Sequence, residues 1–158
     1  MTTGVFSDID ERHMRRALAL AESAAGQGDV PVGAVVARGG DELGAAGNER
    51  ELRGDPTAHA EVLALRQAAA RLGGWRLPET AIYVTLEPCA MCAGAISLAR
   101  VPRLVFGAAD PKGGAVGGVH DLYAQPLADV LNHVPAVERG LLAEESAALL
   151  ASFFADRR

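Results

Sequence analysis

Four residues combine types and spacings that could do chemistry: His59 and Glu61 in "DPTAHAE", and Cys89 and Cys92 in "TLEPCAMCAGA". The chain has no other cysteine. Pro88 reads as the first residue of a helix, so the two thiols stand at i and i+3 in its first turn and share one face. The positive end of a helix favours thiolates, the form that binds metal. The same C-x-x-C spacing serves redox pairs, but those commonly follow the first central strand of a thioredoxin fold. Here two helices and a hairpin are expected first. An isolated cysteine pair in an apolar helix would more often be core, and a structural disulfide is not expected in a cytoplasmic protein.

Two thiolates do not complete a metal site. Of the four histidines, His13, His59, His120 and His133, His59 also lies in the opening turns of an expected helix, with Asp55 as its N-cap and Pro56 at its first position. The other three have no partner pattern and read as structural. Two helix N-termini facing one another would bring His59, Cys89 and Cys92 around one zinc ion, leaving the fourth tetrahedral position for water, as in catalytic sites. Glu61, two residues after His59, is turned well away from it on a 3.6-residue helix. It is a poor fourth ligand but could take a proton from the activated water and return it to a substrate nitrogen. Taken singly, His59 would be a hydrogen-bonded structural histidine and Glu61 a solvated helix residue. Their joint spacing with the cysteines carries the reading.

The elements that must position these residues follow from periodicity. Apolar Met14, Ala17, Leu18, Ala21 and Ala25 predict a helix over Glu11 to Ala25. Val30 to Ala37 predicts a strand, the turn Arg38 to Asp41 a reversal, and Glu42 to Asn48 a return strand. "ERELRGDPTA" reads as a loop before the His59 helix, which runs to about Leu72 with Ala60, Leu63, Ala64 and Ala68 on one face. Ala81 to Leu86 and Arg103 to Ala108 read as strands around a helix ending near Ala99. The C-terminal segment repeats apolar residues at Leu142, Ala143, Ala147, Leu150 and Phe154 and predicts an amphipathic helix. Alternating strands and helices over 158 residues imply one α/β/α sandwich domain, residues 1–158.

Bulk properties narrow the function. A content of 49% hydrophobic and 22% charged residues suits a globular protein. No apolar run is long enough to span a bilayer, and the polar, acidic N-terminus is unlike a signal peptide, so a cytoplasmic location is expected. The net charge of −5 argues against an extended, nonspecific nucleic-acid binder but leaves room for a local basic patch.

The pattern H-A-E … P-C-A-M-C matches the H-x-E … P-C-x-x-C signature of zinc nucleobase deaminases. Along most of its length, from "VPVGAVV" through "NERELRGDPTAHAEVLALRQ", "YVTLEPCAMCAGAI" and "LVFGAADPKGGA" to "GLLAEESAALLASFF", the chain resembles the bacterial tRNA-specific adenosine deaminases. That resemblance implies a cytidine-deaminase-like, three-layer α/β/α fold with a five-stranded mixed sheet, its last strand near His133 to Val137. It implies one zinc ion per subunit on His59, Cys89 and Cys92, and hydroxide adding to C6 of a wobble adenosine while Glu61 protonates N1. Ammonia then leaves and inosine forms. The resemblance makes Asn48 the hydrogen-bonding partner of a flipped base, with Val32, Gly33, Ala34, Ala60, Leu86, Glu87 and Pro88 contributing to the substrate pocket. It gives Asp110 and Lys112 to the flanking nucleotides, and Phe153, Phe154, Arg157 and Arg158 to the anticodon loop. It also implies a homodimer that acts on a tRNA anticodon stem-loop without an organic cofactor. Ala109 departs from the family, whose members often carry arginine there, and Gly118 to Asn132 is longer than in the family's pattern. Two other readings compete: a deaminase of a free base or nucleoside such as guanine or cytosine, and a non-enzymatic, zinc-stabilised RNA-binding module needing a fourth ligand such as His120.

Overall fold

The computed structural model describes residues 5–157. Its elements are α1 (Asp8–Gly26), β1 (Gly33–Arg38), β2 (Asp41–Gly47), α2 (Arg50–Arg53), α3 (Ala60–Leu72), β3 (Ala81–Leu86), α4 (Ala90–Leu98), β4 (Arg103–Ala108), β5 (Ala136–Arg139) and α5 (Ala143–Ala155). The five strands form one sheet in the order β2-β1-β3-β4-β5. β1 pairs antiparallel with β2 and β3, while β3, β4 and β5 run parallel. The sheet is mixed, as the sequence resemblance implied.

Alternation along the strands divides the core into two layers. Ala34, Val36, Ile82, Val84, Leu104 and Phe106 face α3 and α4. The residues between them, Val35, Ala37, Tyr83 and Val105, face Met14 and Ala17 of α1. Strands covered on both faces need apolar side chains at nearly every position, which is why "AIYVTL" and "RLVFGA" read as unbroken runs.

α1 begins with a reciprocal cap: Ser7 Oγ accepts from Asp10 N, and Asp10 Oδ2 accepts from Ser7 N, both at 3.0 Å. The same carboxylate reaches across the sheet. It accepts from Tyr83 Oη at 2.7 Å and from Arg103 Nη1 and Nη2 at 2.7 and 3.0 Å. Arg103 Nε also donates to Glu138 on β5 at 2.5 Å. A partly buried network thus ties α1 to β3, β4 and β5.

Several boundaries differ from the sequence reading, each for a local reason. β1 starts at Gly33 rather than Val30, because Val30-Pro31-Val32 folds into a tight turn with Val32 N donating to Val30 O at 2.8 Å. α2 is a short helix inside the expected loop. β5 begins three residues later than the resemblance placed it: Pro135 has no N–H to give, and the ladder opens with Ala136 N donating to Pro102 O at 2.9 Å. α5 buries a different face from the expected one. Ser146 and Phe153 turn inward, Ser146 Oγ donating to Thr85 O, and Phe154 remains 47% exposed. Ala24 rather than Ala25 completes the buried stripe of α1. Among the described residues, no helix is long and apolar enough to cross a membrane.

Candidate active site

The starts of α3 and α4 meet beyond the C-terminal end of β3, where open α/β sheets usually bind ligands. Neither helix begins at its proline. Asp55, Pro56 and Thr57 form a separate turn, in which Asp55 Oδ1 accepts from Thr57 N and Oγ1 at 2.8 Å. His59 is the N-cap of α3, with extended backbone, and its carbonyl accepts from Leu63 N at 3.1 Å. Cys89 is likewise the N-cap of α4, its carbonyl accepting from Ala93 N at 2.8 Å, and Pro88 precedes the helix instead of opening it. Neither side chain caps its own helix. Both are free to point at a common centre.

They do so. His59 Nδ1 lies 3.6 Å from Cys89 Sγ and 3.5 Å from Cys92 Sγ. The three donor atoms lie within 4.8 Å of one another and form the one group of three or more such ligands found among the described residues that could hold a metal ion. His120 is exposed and does not join it. His13 and His133 make structural bonds, to Gly39 O at 2.8 Å and Val101 O at 2.6 Å.

The electrostatics favour a thiolate. The hydrogen bond from Cys92, followed by that to His59, pulls the Cys89 thiol down to about 4 despite its burial. That same bond to Cys89, together with burial, pushes Cys92 up. The Cys89 thiolate in turn raises His59. Glu61 is 4% exposed, and burial pushes its carboxyl up to about 7. A carboxyl near neutrality is suited to taking and giving a proton.

A cavity of about 150 Å³ opens onto His59, Glu61 and Cys89. Of the residues expected around it, Val32, Asn48, Ala60, Leu86, Glu87 and Asp110 line its wall. Asn48 is buried and makes two long bonds: Nδ2 donates to Val30 O and Oδ1 accepts from Arg50 N, both at 3.3 Å. Gly33, Ala34 and Pro88 fall outside the wall. Gly33 packs so closely on α1 that a Cβ would overlap Ala17 O, Ala34 lies in the core, and buried Pro88 accepts from Ala115 N at 3.0 Å. Lys112 and Phe154 meet instead in a second groove of about 550 Å³, with Arg157 beside them. Phe153 is buried, 5.3 Å from the Phe154 ring between centroids, and the Arg157 guanidinium carbon lies 3.6 Å from the centre of its ring. Arg158 lies outside the described residues.

Sequence reasoning missed Val30 and Arg50 in the wall. Arg50 opens α2, and fully buried Asp29 holds that helix by accepting from Glu51 N and Leu52 N at 2.7 and 3.2 Å. The signal was the nearness of Arg50 to Asn48, two residues away.

A family model described as MafB19-like deaminase matches residues 9–157. The chain belongs to that deaminase family. It is 45% identical to the tRNA-specific adenosine deaminase of Haemophilus influenzae over 98% of this chain and 88% of that one. To the tRNA-specific adenosine deaminase of Agrobacterium fabrum it is 46% identical, over 92% of this chain and 93% of that one. Among solved structures, the deaminase matches one from a study of A-to-I editing by tRNA A34 deaminases at the wobble position. That match has a TM-score of 0.82 and 47% identity, covering 88% of this chain and 99% of the other. It matches the guanine deaminase of Nitrosomonas europaea with a TM-score of 0.76 and 25% identity, over 98% and 96%. The deaminase therefore shares its cytidine-deaminase-like architecture with enzymes acting on different purines.

Proposed function

We propose that this deaminase is a cytoplasmic, zinc-dependent enzyme that converts the wobble adenosine of a tRNA anticodon loop to inosine. The observation that carries the substrate is the continuity of two sites along one loop. Asp110 lines the cavity at the metal group, and Lys112, two residues on, lines the groove with Phe154 and Arg157. A free base fills only the cavity; a polynucleotide reaches both. Arg50 adds an exposed cation at the cavity wall, near enough for its charge to act on His59. The names of the relatives support the same substrate.

The donor set fits zinc. Two thiolates and an imidazole suit it better than hard cations. At zinc's usual distances of about 2.3 Å to sulfur and about 2.0–2.1 Å to nitrogen, tetrahedral angles separate the nitrogen from each sulfur by about 3.5–3.6 Å. The observed separations are 3.5 and 3.6 Å. His59, Cys89 and Cys92 would hold the ion, which supplies the Lewis acidity that makes water a nucleophile near neutral pH. Glu61 takes a proton from the attacking water and delivers it to N1 of the adenine. Ammonia leaves C6. Val30, Val32 and Leu86 exclude bulk water from the base, and Asn48 exchanges its long bonds for the base edge.

The protein acts as a homodimer in this reading. An apolar groove between α3 and α4 is lined by Val62, Leu65, Trp75 and Leu98; Leu65 is buried at its floor, while Trp75 is 56% and Leu98 68% exposed. This reading seats the second copy on these two exposed side chains.

The deciding experiment is inosine formation by the zinc-loaded protein on an anticodon stem-loop with adenosine at the wobble position. Free adenosine, guanine and cytosine run beside it. The expected result is inosine in the stem-loop only, with Glu61→Ala retaining zinc but losing activity by about 10³-fold or more. Ammonia from a free base with the stem-loop untouched would favour the small-molecule reading, for which the net charge of −5 speaks.

A further inference from the structure

Glu87 stands two residues before Cys89, and its carboxylate is not free to bind a substrate. The side chain is 2% exposed and accepts three backbone amides of a single loop. Oε1 takes Asp110 N at 3.0 Å, and Oε2 takes Val116 N at 2.9 Å and Gly118 N at 2.7 Å. The loop has no side chain at the two positions closest to it: a Cβ on Gly114 or Gly118 would overlap the carboxylate. The neighbouring backbone is joined to the end of β4 and to the same loop, with Glu87 N donating to Ala108 O at 2.8 Å and Ala115 N donating to Pro88 O at 3.0 Å. The loop has no other buried charge to organise it. Asp110 uses its own carboxylate locally, on Lys112 N and Gly113 N at 2.9 and 3.2 Å.

We propose that Glu87 is a positioning residue for the polynucleotide substrate: it acts through the loop 110–118, setting where Asp110 meets the cavity and Lys112 meets the groove. This rests on the tRNA reading above. The segment from Leu86 to Cys89 then has two outputs. Cys89 fixes the metal group, and Glu87 fixes the loop that aligns the rest of the nucleic acid with it. A carboxylate accepting several backbone N–H groups is a strong, charge-assisted anchor. A neutral amide in its place would set an NH₂ against at least one of the three loop amides and release that end.

The test is steady-state deamination of the anticodon stem-loop by zinc-loaded wild type, Glu87→Gln and Gly118→Ala. Gly118→Ala attacks the same contact from the loop side and leaves the β3–α4 segment unaltered. Cobalt-substituted samples report the metal group by their visible absorption, and hydrogen exchange reports the Val116 and Gly118 amides. The expected result for both variants is a KM raised about tenfold, the scale of one lost charge-assisted bond, with kcat changed less than about threefold. The cobalt spectrum is unchanged, and in Glu87→Gln the two amides exchange faster. An unchanged KM alongside faster exchange overturns the proposal, because the loop would then be ordered for nothing the substrate uses. A fall in kcat with an altered cobalt spectrum also overturns it, since Glu87 would then serve the metal group. A wild type inactive on the stem-loop removes the substrate reading and the proposal with it, whereas active wild type with indifferent variants removes the proposal alone.

Discussion

Replacing Asp10 by asparagine perturbs the scaffold at its most connected polar residue while nearly preserving shape. The carboxylate lies among Arg103, Tyr83 and Ser7, and its side chain is 7% exposed. Removing one partner of a buried ion pair costs about 3–5 kcal/mol. Arg103 is 30% exposed and keeps Glu138, and asparagine still accepts one hydrogen bond, so about 3 kcal/mol is expected. With a urea slope of about 2 kcal/mol/M the midpoint falls by about 1.5 M. The effect depends on pH. The Arg103 guanidinium, with help from Tyr83, holds the Asp10 carboxyl well below the usual carboxylate range. A depressed folded-state pKa contributes stability that is complete above the unfolded value of about 3.9 and is lost as pH falls toward the folded one. The gap between wild type and Asp10→Asn is therefore constant near neutrality and about 1 kcal/mol narrower at pH 3. Urea unfolding followed by circular dichroism at pH 7, 5 and 3 measures it, and metal release in acid, common to both proteins, cancels in the difference. A gap under about 1 kcal/mol at pH 7, or one that does not narrow in acid, would refute the reasoning.

Cys89→Ala is expected to lose bound zinc in elemental analysis and to melt about 10 °C lower, because the ion's binding energy helps hold the two helix starts together; a full zinc complement would mean the donor set is wrong. Leu98→Glu is expected to convert a dimer to a monomer in sedimentation velocity with zinc content intact. A wild type that sediments as a monomer would remove the α3–α4 face as an association surface.

The chemistry of this chain was legible where it is local. His59, Glu61, Cys89 and Cys92 sit within two short stretches, and the structure brings the histidine and both cysteines together beside a cavity that Glu61 lines. The two sheet faces were legible too, as unbroken apolar strands. What escaped depends on partners distant in the chain. Asp55 carries the features of a helix cap, yet it spends them on Thr57, leaving His59 as the cap. α5 is apolar almost all round, and the face it buries is selected by Ser146 meeting Thr85 O, sixty-one residues away. Glu87 resembles a pocket residue until its three amide partners, 23 to 31 residues downstream, are counted. Arg50 reaches the cavity because Asp29, which precedes the β1–β2 hairpin in the chain, anchors the helix that follows it.

The double anchoring between β3 and α4 sets where the chain tolerates changes of length. One residue inserted between Leu86 and Glu87 would turn Cys89 away from His59 and withdraw Glu87 from its amides in the same stroke. The stretch from Ala124 to Leu131 answers to neither constraint: most of it is exposed, its backbone bonds are local, and a short 3₁₀ turn at Leu127–Val130 is its one helical element. Insertions and deletions should accumulate there, because a change of length in this segment leaves His59, Glu61, Cys89 and Cys92 in their places.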